Sequence, residues 1–360
     1  MVDPTIGRAI KRSRGGLGLS TSTLAQQVGI AEDDLKELEA ARLSLPANVL
    51  MRLARAMGLA ATSFLSNSNA DAAKPALDQA KFFHAADAPA LSETDVIAIA
   101  REVTRSQVFA DLAKPVVRLD NYELTKPGAK PWRNGYDLAG TLRTALGLRS
   151  ESIPNVQRLL EDMLGVLVTK HAFSDGRLRG VAVRSSKGRL VAVSTRLPTP
   201  VLRITIAHEL CHHVCDLEPN DTISESDETR EEFSGSDPGV EQRAKAFAVM
   251  FLAPSSLVRD LFGAPNHQFA TVTKALEAAS VLGPRCGIST AASLWHLFHL
   301  KYLSEEEHDV QVWQRQASRE AALSDFEQTS GSSDGMLRAI DAALAADEIE
   351  TDHADWLRRL

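Results

Sequence analysis

Two histidines four residues apart, with a glutamate beside the first, are the residues of this 360-residue chain best placed to do chemistry. They stand in Ala207-His208-Glu209-Leu210-Cys211-His212. A helix with 3.6 residues per turn stacks His208 and His212 on one side, where their nitrogens can share a tetrahedral metal ion. Glu209 falls about 100° round that helix, near enough to take a proton from an attacking water without being a ligand. Zinc brings the pKa of such a water down towards 7. The chemistry implied is hydrolysis of an amide, with Glu209 as general base. His213 points to the opposite side and reads as structural.

A hydrolytic zinc site uses three protein ligands and keeps a fourth position open. The extended metzincin spacing fails here, because Cys215 and Glu218 stand where a glycine and a third histidine are required. Glu241 is the candidate third ligand. Ala244, Phe247, Ala248, Phe251 and Leu252 mark the buried stripe of a following helix, and Glu241 lies on its extension. A carboxylate aimed at a core costs several kcal/mol unless it is paired or bound to metal. The plainer account is a helix-start glutamate favoured by the macrodipole, and Asp237 and Glu232 are rivals. Cys215 lies in line with His212 one turn on, and Cys211 is further round. A thiol touching zinc would make a redox switch; a buried cysteine acting as a small apolar residue is the commoner case. Residues 216–240 carry nine acids against a lone Arg230, which suits a basic substrate or a solvated loop.

The metal helix reads as 204–214. Ahead of it the pattern is helix, then strand. Leu138, Leu142 and Leu146 share one helix ending near Gly147, and Val156, Leu159, Leu160 and Met163 share another ending at Gly165. Short strands follow at 166–168, 180–183 and 190–193, the last two joined by a turn at Lys187-Gly188. Residues 81–135 read as a helical and irregular connecting region, with a helix from the cap-like Ser92-Glu93-Thr94-Asp95 towards Lys114. Residues 66–80 have linker composition. Residues 5–65 hold four short helical patterns, with Ser20 placed to cap the second and Gly29 to end it, as in a helix-turn-helix. The third pattern carries five acids and one lysine over 31–39, a face that phosphates would avoid. DNA contact would then rest on Arg8, Lys11, Arg12 and Arg14 of the first helix; protein contact or dimerisation is the alternative. Residues 301–360 form an acidic helical extension, 6 Lys+Arg against 14 Asp+Glu. A Ser/Gly break interrupts it at 329–335. Leu337, Ile340, Leu344, Trp356 and Leu357 give it an apolar side that packs on the preceding domain or mediates self-association.

The apolar spacing of residues 5–65 resembles the N-terminal domain of the phage-repressor and xenobiotic-response-element (XRE) class of regulators. The run Arg203-Ile204-Thr205-Ile206-Ala207-His208-Glu209-Leu210-Cys211-His212, with Glu241-x-x-Ala244-x-x-Phe247-Ala248 and Leu252-Ala253-Pro254, resembles the ImmA/IrrE metallopeptidases. Gly287-Ile288-Ser289-Thr290 before a helix also fits, and the likeness runs over 136–300. It implies an α+β chain whose zincin-like domain has a small β-sheet. It also implies one Zn2+ per chain on His208, His212 and Glu241, with Glu209 as base. The implied activity is endoproteolysis of a transcriptional repressor, itself a basic helix-turn-helix protein, in stress response, defence or mobile-element control. The chain departs from the family at Cys211, where glycine is usual, and at His296 and His299, where an Arg-containing pattern is usual. The second departure leaves the substrate-polarising group unassigned. The alternative is a DNA-binding regulator whose peptidase-like domain senses metal or ligand without turnover. Glu209 favours the enzyme, since sensing needs no general base.

Bulk properties bound the class. The composition, 44% hydrophobic and 24% charged, is that of a globular protein able to bury a core. A net charge of −7 argues against a generic polyanion binder. Three cysteines give no disulfide framework. The opening Met1-Val2-Asp3-Pro4 has no signal pattern, and no apolar run nears the roughly 20 residues that span a bilayer. The expectation is a cytoplasmic protein with no membrane partner.

Overall fold

The computed structural model describes residues 4–16, 19–40, 42–43, 46–57, 81–83, 92–122, 129–185, 187–217, 238–266, 269–303, 310 and 334–358. The N-terminal helices are α1 (Pro4–Gly16), α2 (Thr21–Val28), α3 (Glu32–Glu39) and α4 (Ala47–Ala56). Ser20 caps α2 by accepting the Thr23 N–H at 3.0 Å, and Gly29 ends it at φ 69°, a conformation glycine reaches without a Cβ penalty. Ile10, Leu24, Val28, Leu35, Leu53 and Met57 form the core of these helices. The residues read as a linker, 66–80, lie outside the described residues.

Strand β1 (Lys81–Phe83) precedes α5 (Glu93–Leu112), which Ser92 caps. Helix α6 (Pro131–Ala145) begins ahead of its first periodic leucine, because proline at the first turn sacrifices no helical hydrogen bond. Helix α7 (Val156–Leu164) ends on Gly165 at φ 66°. Strands β2 (Val166–His171), β3 (Gly180–Arg184) and β4 (Arg189–Ser194) follow. The sheet order is β1-β3-β4-β2, with β2 parallel to β4 and the other pairs antiparallel. Strand β1 was not foreseen: three residues are too few to show an alternation, and only pairing with β3 makes them a strand.

Side chains alternate across the sheet with period two. Val166, Val168, Val191 and Val193 enter one core, and Leu167, Val181, Val183, Leu190 and Ala192 enter the other. Both faces are covered, so the strands read as continuous apolar runs. On the first face lie α8 (Thr199–Cys215), α9 (Pro238–Leu252), α10 (Ser255–Phe262), α11 (Val272–Cys286) and α12 (Thr290–His299). On the second lie α5 and the C-terminal helices α13 (Asp334–Ala345) and α14 (Thr351–Leu357), in a core continuous with that of the N-terminal helices. The described helices of residues 334–358 therefore pack on the elements that precede them. Arg338 of α13 bonds Glu161 at 2.8 Å and Asp162 at 2.9 Å, and Met336 and Ile340 are buried beside them.

Helix α8 is buried almost all round, the pattern of a core helix rather than a surface one. Its first half is tied by Arg203, whose guanidinium donates to the carbonyls of Pro154 (2.7 Å), Gly287 (3.2 Å), Cys286 (3.3 Å) and Ile153. Its end is held by the β3–β4 hairpin. Arg184 donates to the Leu217 carbonyl at 2.7 Å and Arg189 to that of His213 at 3.3 Å, which satisfies carbonyls that have no partner within the helix. These arginines face each other in register, and Asp120 bridges them. Helices α6 and α9 touch backbone to backbone at Gly135, where a Cβ would overlap the Arg243 carbonyl and sit 2.8 Å from the Phe247 nitrogen.

Candidate metal centre

His208 and His212 face one point from successive turns of α8, their Nε2 atoms 3.2 Å apart. Glu241, in the first turn of α9, reaches the same point: Oε2 lies 3.2 Å from His208 Nε2, and Oε1 lies 3.7 Å from His212 Nε2. All three residues are buried and offer ligand atoms within 4.8 Å of one another. Two imidazole nitrogens and one carboxylate, with no fourth protein donor among the described residues of the group, are the donor set of an open zinc site. The residues therefore fit the ion. The rivals Asp237 and Glu232, and most of the acidic stretch 216–240, lie outside the described residues.

Glu209 sits beside this group and is 3% exposed. The backbone of Ala182 on β3 bonds its carboxyl, while Oε2 is buried with no hydrogen-bond partner among the described residues. Burial pushes this carboxyl up to about 8, reinforced by the charge of Glu241 and opposed by His212 and the Ala182 bond. Gly180, also on β3, makes room for it. A Cβ at Gly180 would stand 2.6 Å from Thr205 Cγ2 and 2.8 Å from Glu209 Oε1. The strand thus fixes the glutamate that α8 carries.

Burial lowers His208, more strongly than the Glu241 contact raises it, so its imidazole stays neutral, as a ligand must be. For His212, burial acts downward too, but the Asp216 bond and the charges of Glu209, Asp216 and Glu241 outweigh it and the net shift is upward. His212 donates its Nδ1–H to Asp216 at 2.8 Å, and Asp216 in turn meets Arg243 of α9. Sequence reasoning placed Asp216 in an acidic loop and gave Arg243 no role. The four-residue step from His212 to Asp216 was the available signal.

The other singled-out residues fall elsewhere. His213 donates Nε2–H to the Leu190 carbonyl at 3.0 Å, and burial and Arg189 hold it well below the usual imidazole range. His296 donates to the Ala253 carbonyl and accepts from the Tyr136 hydroxyl, each at 2.6 Å; burial brings it down to about 4. It is a neutral tie between α6, α9 and α12, while His299 stacks on Trp132. Cys211 and Cys215 are buried with sulfurs 3.6 Å apart, and the Cys215 thiol donates to the Cys211 carbonyl. Among the basic residues of α1, Arg8 and Lys11 are exposed and the Arg12 side chain lies outside the described residues. Arg14 is turned inward, bonding Glu39 at 2.6 and 2.9 Å and the Leu19 carbonyl at 2.6 Å.

All the residues of the centre lie within one stretch that resembles a known peptidase domain. Residues 161–275 match the family model of the IrrE N-terminal-like domain, Peptidase_M78. The match supports a metallopeptidase-like function for this part of the chain. No curated protein and no solved structure matches the chain. No helix of the described residues is long and apolar enough to cross a membrane.

Proposed function

We propose that the chain is a zinc-dependent endopeptidase that cuts a transcriptional repressor, a basic helix-turn-helix protein, to release genes of stress response, defence or mobile-element control. The observation that carries the reading is Glu209, a buried carboxylate with one oxygen unpartnered among the described residues, beside three convergent ligand atoms. A zinc ion held by His208, His212 and Glu241 would polarise the scissile carbonyl and lower the pKa of a water molecule. Glu209 takes the proton from the attacking water at Oε2 and passes it to the leaving amide nitrogen. Its desolvated environment makes it a stronger base than an exposed carboxylate. The resemblance to repressor-cleaving peptidases and the acid-rich stretch 216–240 support a basic substrate.

Glu209→Gln keeps the side chain's size but cannot accept the proton. It should leave fold and zinc content unchanged and lower cleavage of the cognate repressor by roughly 10²–10⁴-fold. Persistent cleavage in this variant would sink the mechanism. A wild-type protein that cuts no repressor with zinc and DNA supplied would favour regulation without turnover.

A further inference from the structure

We infer that Asp216 and Arg243 are positioning residues for the metal centre: Asp216 sets the orientation of the His212 imidazole, and Arg243 holds Asp216 while locking α8 to α9. This rests on the reading of His208, His212 and Glu241 as metal ligands. Asp216 stands one turn beyond His212, at the C-terminal end of α8. Its Oδ2 accepts the His212 Nδ1–H at 2.8 Å and lies 3.5 Å from the Cys215 sulfur. Its Oδ1 accepts from a terminal nitrogen of Arg243. The two side chains are 1% and 5% exposed, Arg243 and Asp216 respectively, so water screens their attraction little.

Arg243 follows Glu241 by two residues on α9, which closes a circuit. It runs from His212 to Asp216, across to Arg243, along α9 to Glu241, and back to His212 Nε2 at 3.7 Å. An unrestrained imidazole turns about its side-chain bonds and moves its proton between nitrogens. With Nδ1–H committed to a carboxylate, the ring has one orientation and Nε2 keeps its lone pair for the metal. Arg243 keeps the carboxylate from being a buried unpaired charge, which the protein interior disfavours strongly. Because Arg243 and Glu241 share a helix, its grip on Asp216 also sets how far the third ligand stands from the second.

The test uses the full chain, stripped of metal by a chelator and titrated with zinc against a chromophoric chelator. Co2+ substitution then reads ligand geometry from its d–d spectrum. Asp216→Asn and Arg243→Met should each weaken zinc binding by roughly 10–100-fold and shift the Co2+ spectrum. Arg243→Lys should recover part of the lost affinity. The Asp216→Asn/Arg243→Met double variant should lose little more than the weaker-binding single, since members of one circuit do not add. Thermal unfolding of the metal-free proteins is followed in parallel. If folded Asp216→Asn and Arg243→Lys melt earlier but match wild type in zinc affinity and Co2+ spectrum, the pair is only a structural tie and the inference is overturned. Should Arg243→Met not fold, those two conservative variants still decide. A wild-type chain that takes up no zinc overturns the metal-centre reading itself, a result separate from normal zinc uptake by the variants.

Discussion

Single residues in this centre are useful only through the space their neighbours leave. Gly180 shows this most sharply, because the carboxylate of Glu209 occupies the volume that any side chain there would need. Gly180→Ala should push Glu209 away from its place beside the ligands or force β3 off α8, at about 1–3 kcal/mol of stability. Zinc content should stay near wild type, since the three atoms nearest a Cβ at Gly180 belong to Thr205 and Glu209 and not to a ligand, while kcat against the cognate repressor falls by roughly tenfold or more. Unchanged kcat in Gly180→Ala would show that the position of Glu209 is not critical.

At the scale of elements, buried charged groups do the joining. Arg203 gathers four carbonyls, from the loop ahead of α7 and from the end of α11, onto α8, and Arg143 reaches from α6 to the Phe251 carbonyl of α9 at 2.7 Å. Burial brings both arginines down to about 10, still charged near neutrality. The docking of α13 rests on a similar tie, with a consequence for pH. Burial raises the Glu161 carboxyl, although Gln157 and Arg338 oppose it. The folded state therefore holds this proton more tightly than the unfolded chain does. The stability Glu161 contributes is full below the ordinary carboxylate range and is lost as pH rises through its raised value. Arg338→Ala removes the opposing cation and raises Glu161 further. The variant should lose about 1–3 kcal/mol at pH 8, discounted for the partly exposed arginine, and clearly less at pH 5. Urea unfolding at the two pH values measures this, and an equal loss at both would show that Glu161 does not titrate in that window.

At the scale of the whole molecule, the N-terminal helices and the C-terminal helices α13 and α14 share the core on the sheet face away from the candidate metal centre. The centre's own face is built from α6 to α12. If the N-terminal helices meet DNA, the contact on a chain of net charge −7 must be local and must come from exposed α1 cations. Arg14 is spent on Glu39, which leaves Arg8 and Lys11 among the described side chains. Duplex binding by the full chain should fall steeply with salt. The Arg8→Ala/Lys11→Ala variant should flatten the log–log slope by about 2, one unit per lost phosphate contact. Salt-insensitive, sequence-selective binding would instead place readout on the acidic α3.

The amino-acid sequence by itself determined what acts over a few residues. The four-residue spacing of His208 and His212, the caps at Ser20 and Ser92, the stops at Gly29 and Gly165 and the apolar runs of β2 to β4 follow from helical and strand periods. Those periods depend only on neighbouring positions. Glu241 was legible as a misplaced carboxylate on an apolar stripe, though its rivals could be ranked no further from sequence. Tertiary structure decided the rest. Arg243 meets Asp216 across 27 positions, Gly180 meets Glu209 across a strand–helix junction, and β1 exists only by pairing with β3. Arg14, four residues after Ile10, falls toward the apolar side of α1 and Arg8 opposite it, but only the fold supplies the Glu39 that draws Arg14 inward. Such partnerships depend on how helices cross and sheets stack, distances that no local period encodes.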